Sequence, residues 1–227
     1  MTGAPPRDFA ILLPPGWVRI PLDGSETARV TALAAAKAAS APAPVRDRVR
    51  RRLIRVLRDT LRQAKAAGGV DVLVSLAESR GLPVAASCLV TYQDRGQQVP
   101  LDGLLAELAG AGGDVTVTEI AGAPAVRRRA CTAAPSGDAS LAVSGRAASG
   151  RAADGWAADG WAADSRAEGG GDAPDPGSLT VTVVDYFLPV PGRTGLLSLS
   201  FSTPVEPLAD ALVLLFDAIA GSFRWTR

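Results

Sequence analysis

Three stretches of this chain alternate apolar and polar residues in pairs separated by turn residues, and that alternation limits the fold more than any other feature. Val70, Val72, Val74 and Leu76 alternate with Asp71, Leu73, Ser75 and Ala77. A period of two puts successive side chains on opposite faces of a strand. Gly81 to Pro83 supplies a turn before a second strand, Val84 to Tyr92. Asp114 to Ile120 and Ala125 to Cys131 form another pair around Ala121 and Gly122. Leu179 to Pro189 and Leu196 to Ser202 form a third around Pro191 to Gly195, with Leu197, Leu199 and Phe201 on one face. Strands closed by short turns are antiparallel. The expected class is therefore α/β in the α+β sense: a mainly antiparallel sheet flanked by helices.

A first strand is expected at Phe9 to Leu13, followed by a Pro14–Pro15–Gly16–Trp17 turn that sets a large aromatic against the core. Asp23 and Glu26 have the spacing of a capping box before an alanine-rich helix to about Lys37. From Pro44 to Ala67, Val45, Val49, Leu53, Val56, Leu57, Leu61 and Ala64 recur mostly at three- and four-residue intervals, which predicts a long amphipathic helix. Gly68 and Gly69 stop it. A short helix is expected at Leu101 to Ala109. Thr203, Pro204 and Glu206 predict the start of a final helix whose buried stripe is Leu208, Leu212, Leu215, Phe216 and Ile219, with Phe223 and Trp225 anchoring the tail.

Residues 135–177 break the pattern with a five-residue quasi-repeat of Ala, Gly, Asp and Trp. That composition offers too little apolar surface to offset the entropy of ordering it, so a disordered insertion is expected. Residues 1–134 and 178–227 are then expected to form one domain around it. The insertion carries three cations against seven anions.

The 227 residues carry a net charge of +1, so any attraction for nucleic acid or anionic membrane must come from a local patch. No apolar run reaches the roughly 18 residues of a membrane-spanning helix, and the apolar run at Phe9 to Leu13 is too short for a signal peptide. A cytoplasmic location without membrane insertion is the expectation. With only Cys88 and Cys131, and those far apart, neither a disulfide framework nor a metal motif is indicated, and both are expected as thiols.

The chain has no histidine, which excludes Ser-His-Asp and Cys-His catalysis and imidazole-based zinc sites. No GxxxxGK[ST] loop is present, and the glycines of the repeat follow no strand, so no cofactor is expected. Cys88 reads as a buried small hydrophobe and Cys131, two and four residues from Arg129 and Arg127, as a mildly activated thiol at most. Asp210 and Asp217 read as a solvated helix face. No catalytic or metal-ligating residue is assigned.

The long helix holds Arg46, Arg48, Arg50, Arg51, Arg52, Arg55, Arg58, Arg62 and Lys65 against Asp47 and Asp59, a local balance of +7. Arg48, Arg51, Arg55, Arg58 and Arg62 are the expected partner-binding residues. An ordinary surface helix has the same charge distribution. Arg127, Arg128 and Arg129 cannot share one face of a strand, so that strand is expected at an edge or with both faces in solvent.

FAILLPPGW at Phe9 to Trp17, YFLPVPG at Tyr186 to Gly192, LSFSTP at Leu199 to Pro204 and FDAIAGSFRW at Phe216 to Trp225 together resemble the PsbP-like superfamily, which includes the Ran-binding Mog protein and LpqN-type actinobacterial proteins. The resemblance implies an antiparallel sheet sandwiched between helices. It also implies a non-catalytic binder or assembly factor, with a link to type VII secretion through cytoplasmic actinobacterial relatives. No export signal like that of lumenal and lipoprotein members is expected from the Met1 to Trp17 stretch, and the insertion is foreign to the pattern. The functional expectation is a protein-binding or assembly accessory domain with an unidentified protein partner. The alternatives are a nucleic-acid-associated protein using the basic helix 44–67 and an enzyme of unrecognised type, which would need a substrate-sized pocket of convergent polar groups.

Overall fold

A computed structural model of the chain describes residues 8–79, 82–98, 100–135 and 178–226. The strands β2 (Trp17–Pro21), β3 (Gly69–Ser75), β6 (Ser87–Asp94), β7 (Asp114–Ile120), β8 (Ala123–Pro135), β9 (Ser178–Pro189) and β10 (Gly195–Thr203) form one seven-stranded sheet. Its order is β2-β3-β6-β10-β9-β8-β7, and every neighbouring pair is antiparallel. Two small ribbons complete the strands: β1 (Asp8–Ala10) with β11 (Arg224–Thr226), and β4 (Glu78–Ser79) with β5 (Leu82–Pro83). The helices are α1 (Glu26–Ala39), α2 (Ala43–Ala66), α3 (Leu101–Gly110) and α4 (Ala209–Gly221). None is long and apolar enough to cross a membrane.

The three hairpins expected from alternation are present, and Ala121 and Gly122 take the positive φ that so tight a β7–β8 turn needs. Pro135 pairs with Ser178, so β8 and β9 continue the same sheet on either side of residues 136–177. The disorder expected for that insertion falls on residues outside the described ones, apart from Pro135 itself.

Register across the sheet sorts the side chains into two faces. Arg127, Tyr186, Leu199 and Val90 lie in one row, and Arg128, Asp185, Ser200 and Leu89 in the next. Successive rows point to opposite faces. The first face meets α4: Phe216 stacks on Phe201 at 4.9 Å and meets the edge of Trp17 at 6.3 Å, and both phenylalanines are fully buried. Burying each phenylalanine contributes about 1.5–3 kcal/mol. The opposite face carries two apolar areas, one with Ile20, Val72 and Leu89 under α1 and α2, the other with Val126, Phe187 and Leu196 under α3.

Several local expectations need correction. The opening strand is only Asp8–Ala10 and pairs with β11, where Phe9 stacks on the buried Phe223 at 5.2 Å. The first strand of the main sheet is β2, which begins at the tryptophan assigned to a turn. Asp23 does not cap α1: its Oδ1 accepts from the Ser25 amide and hydroxyl in a turn ahead of the helix, while Glu26 pairs with Lys65. Thr203 ends β10, its hydroxyl donates to the Ala85 carbonyl, and a single 3-10 turn at Glu206–Leu208 separates it from α4. Leu208 is accordingly 42% exposed rather than part of the buried stripe.

Candidate binding surface

Pro42 and Pro44 set the start of α2, where a missing amide donor costs nothing, and the left-handed Gly68 ends it. Its 24 residues span about 36 Å, whereas the seven residues of β3, onto which it turns back, span about 23 Å. The buried residues Leu57, Thr60, Leu61 and Ala64 all lie in the C-terminal half of the helix. Nothing in Ala43–Val56 is buried, so Val45 and Val49 of the predicted stripe are only half-covered.

Arg48, Arg51, Arg55, Arg58 and Arg62 are all exposed. At about 100° per residue they fall within an arc of about 80°, opposite the buried stripe, and extend about 21 Å along the axis. Arg62 pairs with Asp59 at 3.1 Å and Arg50 with Asp47 at 3.7 Å. Arg48, Arg51, Arg52, Arg55 and Arg58 have no hydrogen bond or ion pair among the described residues. Arg48, Arg51, Arg52, Arg55, Arg58 and Arg62 make six like-charge neighbours at three- or four-residue spacing. Each such pair costs about 0.2–0.5 kcal/mol, so the row opposes the helix that displays it by about 1–3 kcal/mol. The positive end of the helix dipole at Ala43 acts in the same direction.

The arginines of β8 do the opposite. That strand is not at an edge: it lies between β7 and β9. Arg127 and Arg129 project toward α4, where Arg127 donates to Asp217 from Nε at 2.7 Å and Nη2 at 3.2 Å, and Arg129 reaches Asp210 at 2.5 Å. Asp210 and Asp217 are therefore ion-pair partners and not merely a solvated face. The Tyr186 hydroxyl donates to Asp217 at 2.5 Å, and burial is the larger of the causes that push the phenol well above its ordinary range. Arg127 is held above its usual pKa, chiefly by the Asp217 hydrogen bonds. This trio floors an open cleft of about 380 Å³ between β7 and the end of α4, bounded by Thr116, Thr118, Ile120 and Gly221. The sequence gives no local sign of it, since the Arg127–Asp217 contact joins residues 90 apart.

Arg128 points to the other face and is buried against Asp185 at 3.8 Å, its Nε without a hydrogen-bond acceptor. Ser200 donates to Asp185 at 2.6 Å, and burial raises that carboxyl to about 6 despite the lowering influence of Ser200 and Arg128. Thr91 with Ser198 at 2.5 Å and Ser87 with Ser202 at 3.1 Å extend a polar strip between the two apolar areas. On the α4 face, Arg19 clamps buried Asp71 through Nε and Nη2 and stacks on Phe9 at 4.2 Å.

Cys88 is buried, and desolvation pushes its thiol well up, away from nucleophilic character. Cys131 is exposed, with its sulfur 3.9 Å from the Thr182 hydroxyl, and the guanidinium groups that would activate it are committed to α4. Among the described residues no three His, Cys, Asp or Glu side chains gather as metal ligands.

No protein-family model matches the chain, and no curated protein does. A search of solved structures aligns it with the solution structure of cyanobacterial PsbP (CyanoP) from a Synechocystis species. That alignment has 11% identity, 96% of this chain and 86% of the other covered, and a TM-score of 0.40.

Proposed function

We propose that this chain is a non-catalytic binding domain that presents the arginine face of α2 to an acidic protein partner. The observation that carries this reading is the unpaired row Arg48, Arg51, Arg55 and Arg58, exposed on the face of α2 opposite its buried residues. By contrast the strand arginines Arg19, Arg127 and Arg129 are each matched to a carboxylate. A row that destabilises its own helix is relieved when an acidic partner neutralises it.

An acidic protein fits better than nucleic acid. The overall charge of +1 supplies no long-range field to draw the chain to a polyanion of nucleic-acid charge density. In the cleft beside Asp217 the polar groups Arg127, Asp217 and Tyr186 are bonded to one another. The resemblance to PsbP-like proteins, largely binders and assembly factors, supports the same reading, and a cytoplasmic role linked to type VII secretion is its narrower form.

The test is affinity purification of the full chain from its native cells beside the variant Arg48→Gln, Arg51→Gln, Arg55→Gln, Arg58→Gln. A stoichiometric acidic partner that the variant loses supports the reading. A partner retained by the variant refutes it, and capture of nucleic acid with a steep salt dependence of binding supports the alternative.

A further inference from the structure

The two edges of the sheet differ in a way that the arginine row does not explain. β2 is a five-residue edge closed by Pro21, a residue that blocks strand addition. β7 is a seven-residue edge, Asp-Val-Thr-Val-Thr-Glu-Ile, paired with β8 from Asp114–Arg129 to Ile120–Ala123 without a bulge. It has no proline and no lysine, its centre is Val117 at 52% exposure, and valine and threonine favour extended backbone. Alternate residues of such an edge direct their N–H and C=O groups outward, ready to pair with a further strand.

The cleft of about 380 Å³ runs beside this edge on the α4 side. Thr116 stands opposite Arg127, and Arg127 opposite Tyr186, so a strand added to β7 would place one of its side chains next in that row, at the cleft mouth. What the cleft offers that side chain is negative. Asp217 is 36% exposed and accepts from Arg127 and Tyr186, which occupy three of its roughly four acceptor positions. Asp114 and Glu119 lie exposed on β7 itself, and Asp210 is 86% exposed. On the face shared with the cleft, Asp114, Asp210 and Asp217 stand against two guanidinium groups, Arg127 and Arg129, while Glu119 lies on the other face of the strand. A second copy of β7 would bring two further carboxylates, its own Asp114 and Glu119, onto one seam, whereas a cation-bearing strand would relieve the charge already there.

We propose that β7 is a docking edge for an extended, lysine-bearing peptide segment, whose main chain pairs with β7 and whose lysine enters the cleft toward Asp217. This surface is separate from α2 and does not depend on the reading of the arginine row.

The probe is a fluorescein-labelled peptide, acetyl-Val-Thr-Val-Lys-Val-Thr-Val-amide, titrated with the full chain by fluorescence anisotropy. Saturable binding is expected, weakened about tenfold or more when the lysine is replaced by glutamate. N-methylation of alternate peptide amides should abolish it in one of the two phases of alternation, because only one set of amides faces β7. Asp217→Asn should reduce the preference for lysine over glutamate, and Thr118→Pro should remove binding if it folds. No saturation up to about 1 mM, or equal binding of the lysine, glutamate and N-methylated peptides, overturns the proposal. The N-methylated peptides keep the test decisive even where the proline variant fails to fold.

Discussion

Replacing Asp185 by asparagine should erase a pH dependence that the native fold imposes on its own stability. The carboxyl titrates near pH 6 in the folded chain against an ordinary 3.8, because burial disfavours its charge more than Ser200 and Arg128 favour it. Between those two values the folded state holds a proton that the unfolded chain has released. The contribution of this group is therefore fully present below about pH 4 and is lost as the pH rises through about 6. The size of the loss is about 3 kcal/mol, from two pH units at about 1.4 kcal/mol each. The window is clean: the chain has no histidine, and the carboxyls of Asp23, Glu26 and Asp94 are all shifted downward, so they act at lower pH. Urea denaturation from pH 4.5 to 7.5 should show the wild type losing most of that stability, with a flat profile for Asp185→Asn. Above about pH 6 the variant also leaves the buried Arg128 without the counter-charge that ionised Asp185 supplies, whereas below that value the protonated carboxyl already supplies none, so the two proteins should converge in stability toward pH 4.5. Parallel profiles for the two proteins would refute the reasoning.

Phe216→Ala should cost about 3–5 kcal/mol in urea denaturation, because the ring is fully buried between Phe201 and Trp17. Trp225→Ala should cost clearly less, since Trp225 is only half-buried against Phe223 and Phe9. Deleting residues 138–175 and joining the flanks with a short turn should leave stability unchanged or raise it by up to about 2 kcal/mol, because Pro135 and Ser178 already pair and a shorter loop costs less closure entropy. A loss of several kcal/mol there would place the repeat in the core.

The antiparallel sheet is legible in the sequence because each hairpin writes its own period of two and its own turn. Val70–Leu76 and Leu196–Ser202 alternate cleanly, and both lie where one face packs on α4 or on α1 and α2. β2 is harder to see: its five residues, Trp17 to Pro21, carry only one polar side chain, Arg19, so they write no clear period of two, and they sit between a double proline and a helix signal. The caps misread for a simpler reason, namely that Asp23 and Thr203 satisfy turns and not helix ends, a choice set by the strands they follow. The arginines on α2 show in composition alone, whereas the fate of Arg127, Arg128 and Arg129 does not. Whether such residues reach solvent depends on Asp210, Asp217 and Asp185, which come from α4 and β9, and no local spacing brings those elements together.

The most direct measurement compares partner capture and stability in the same variant, Arg48→Gln, Arg51→Gln, Arg55→Gln, Arg58→Gln. If the row exists for binding, the variant loses the acidic partner while its unfolding free energy stays equal or rises, by up to about 1–3 kcal/mol from the six relieved like-charge contacts. If the row instead supports the fold, the variant loses stability by more than about 1 kcal/mol and keeps its partner, and the assignment of α2 as the binding surface is wrong.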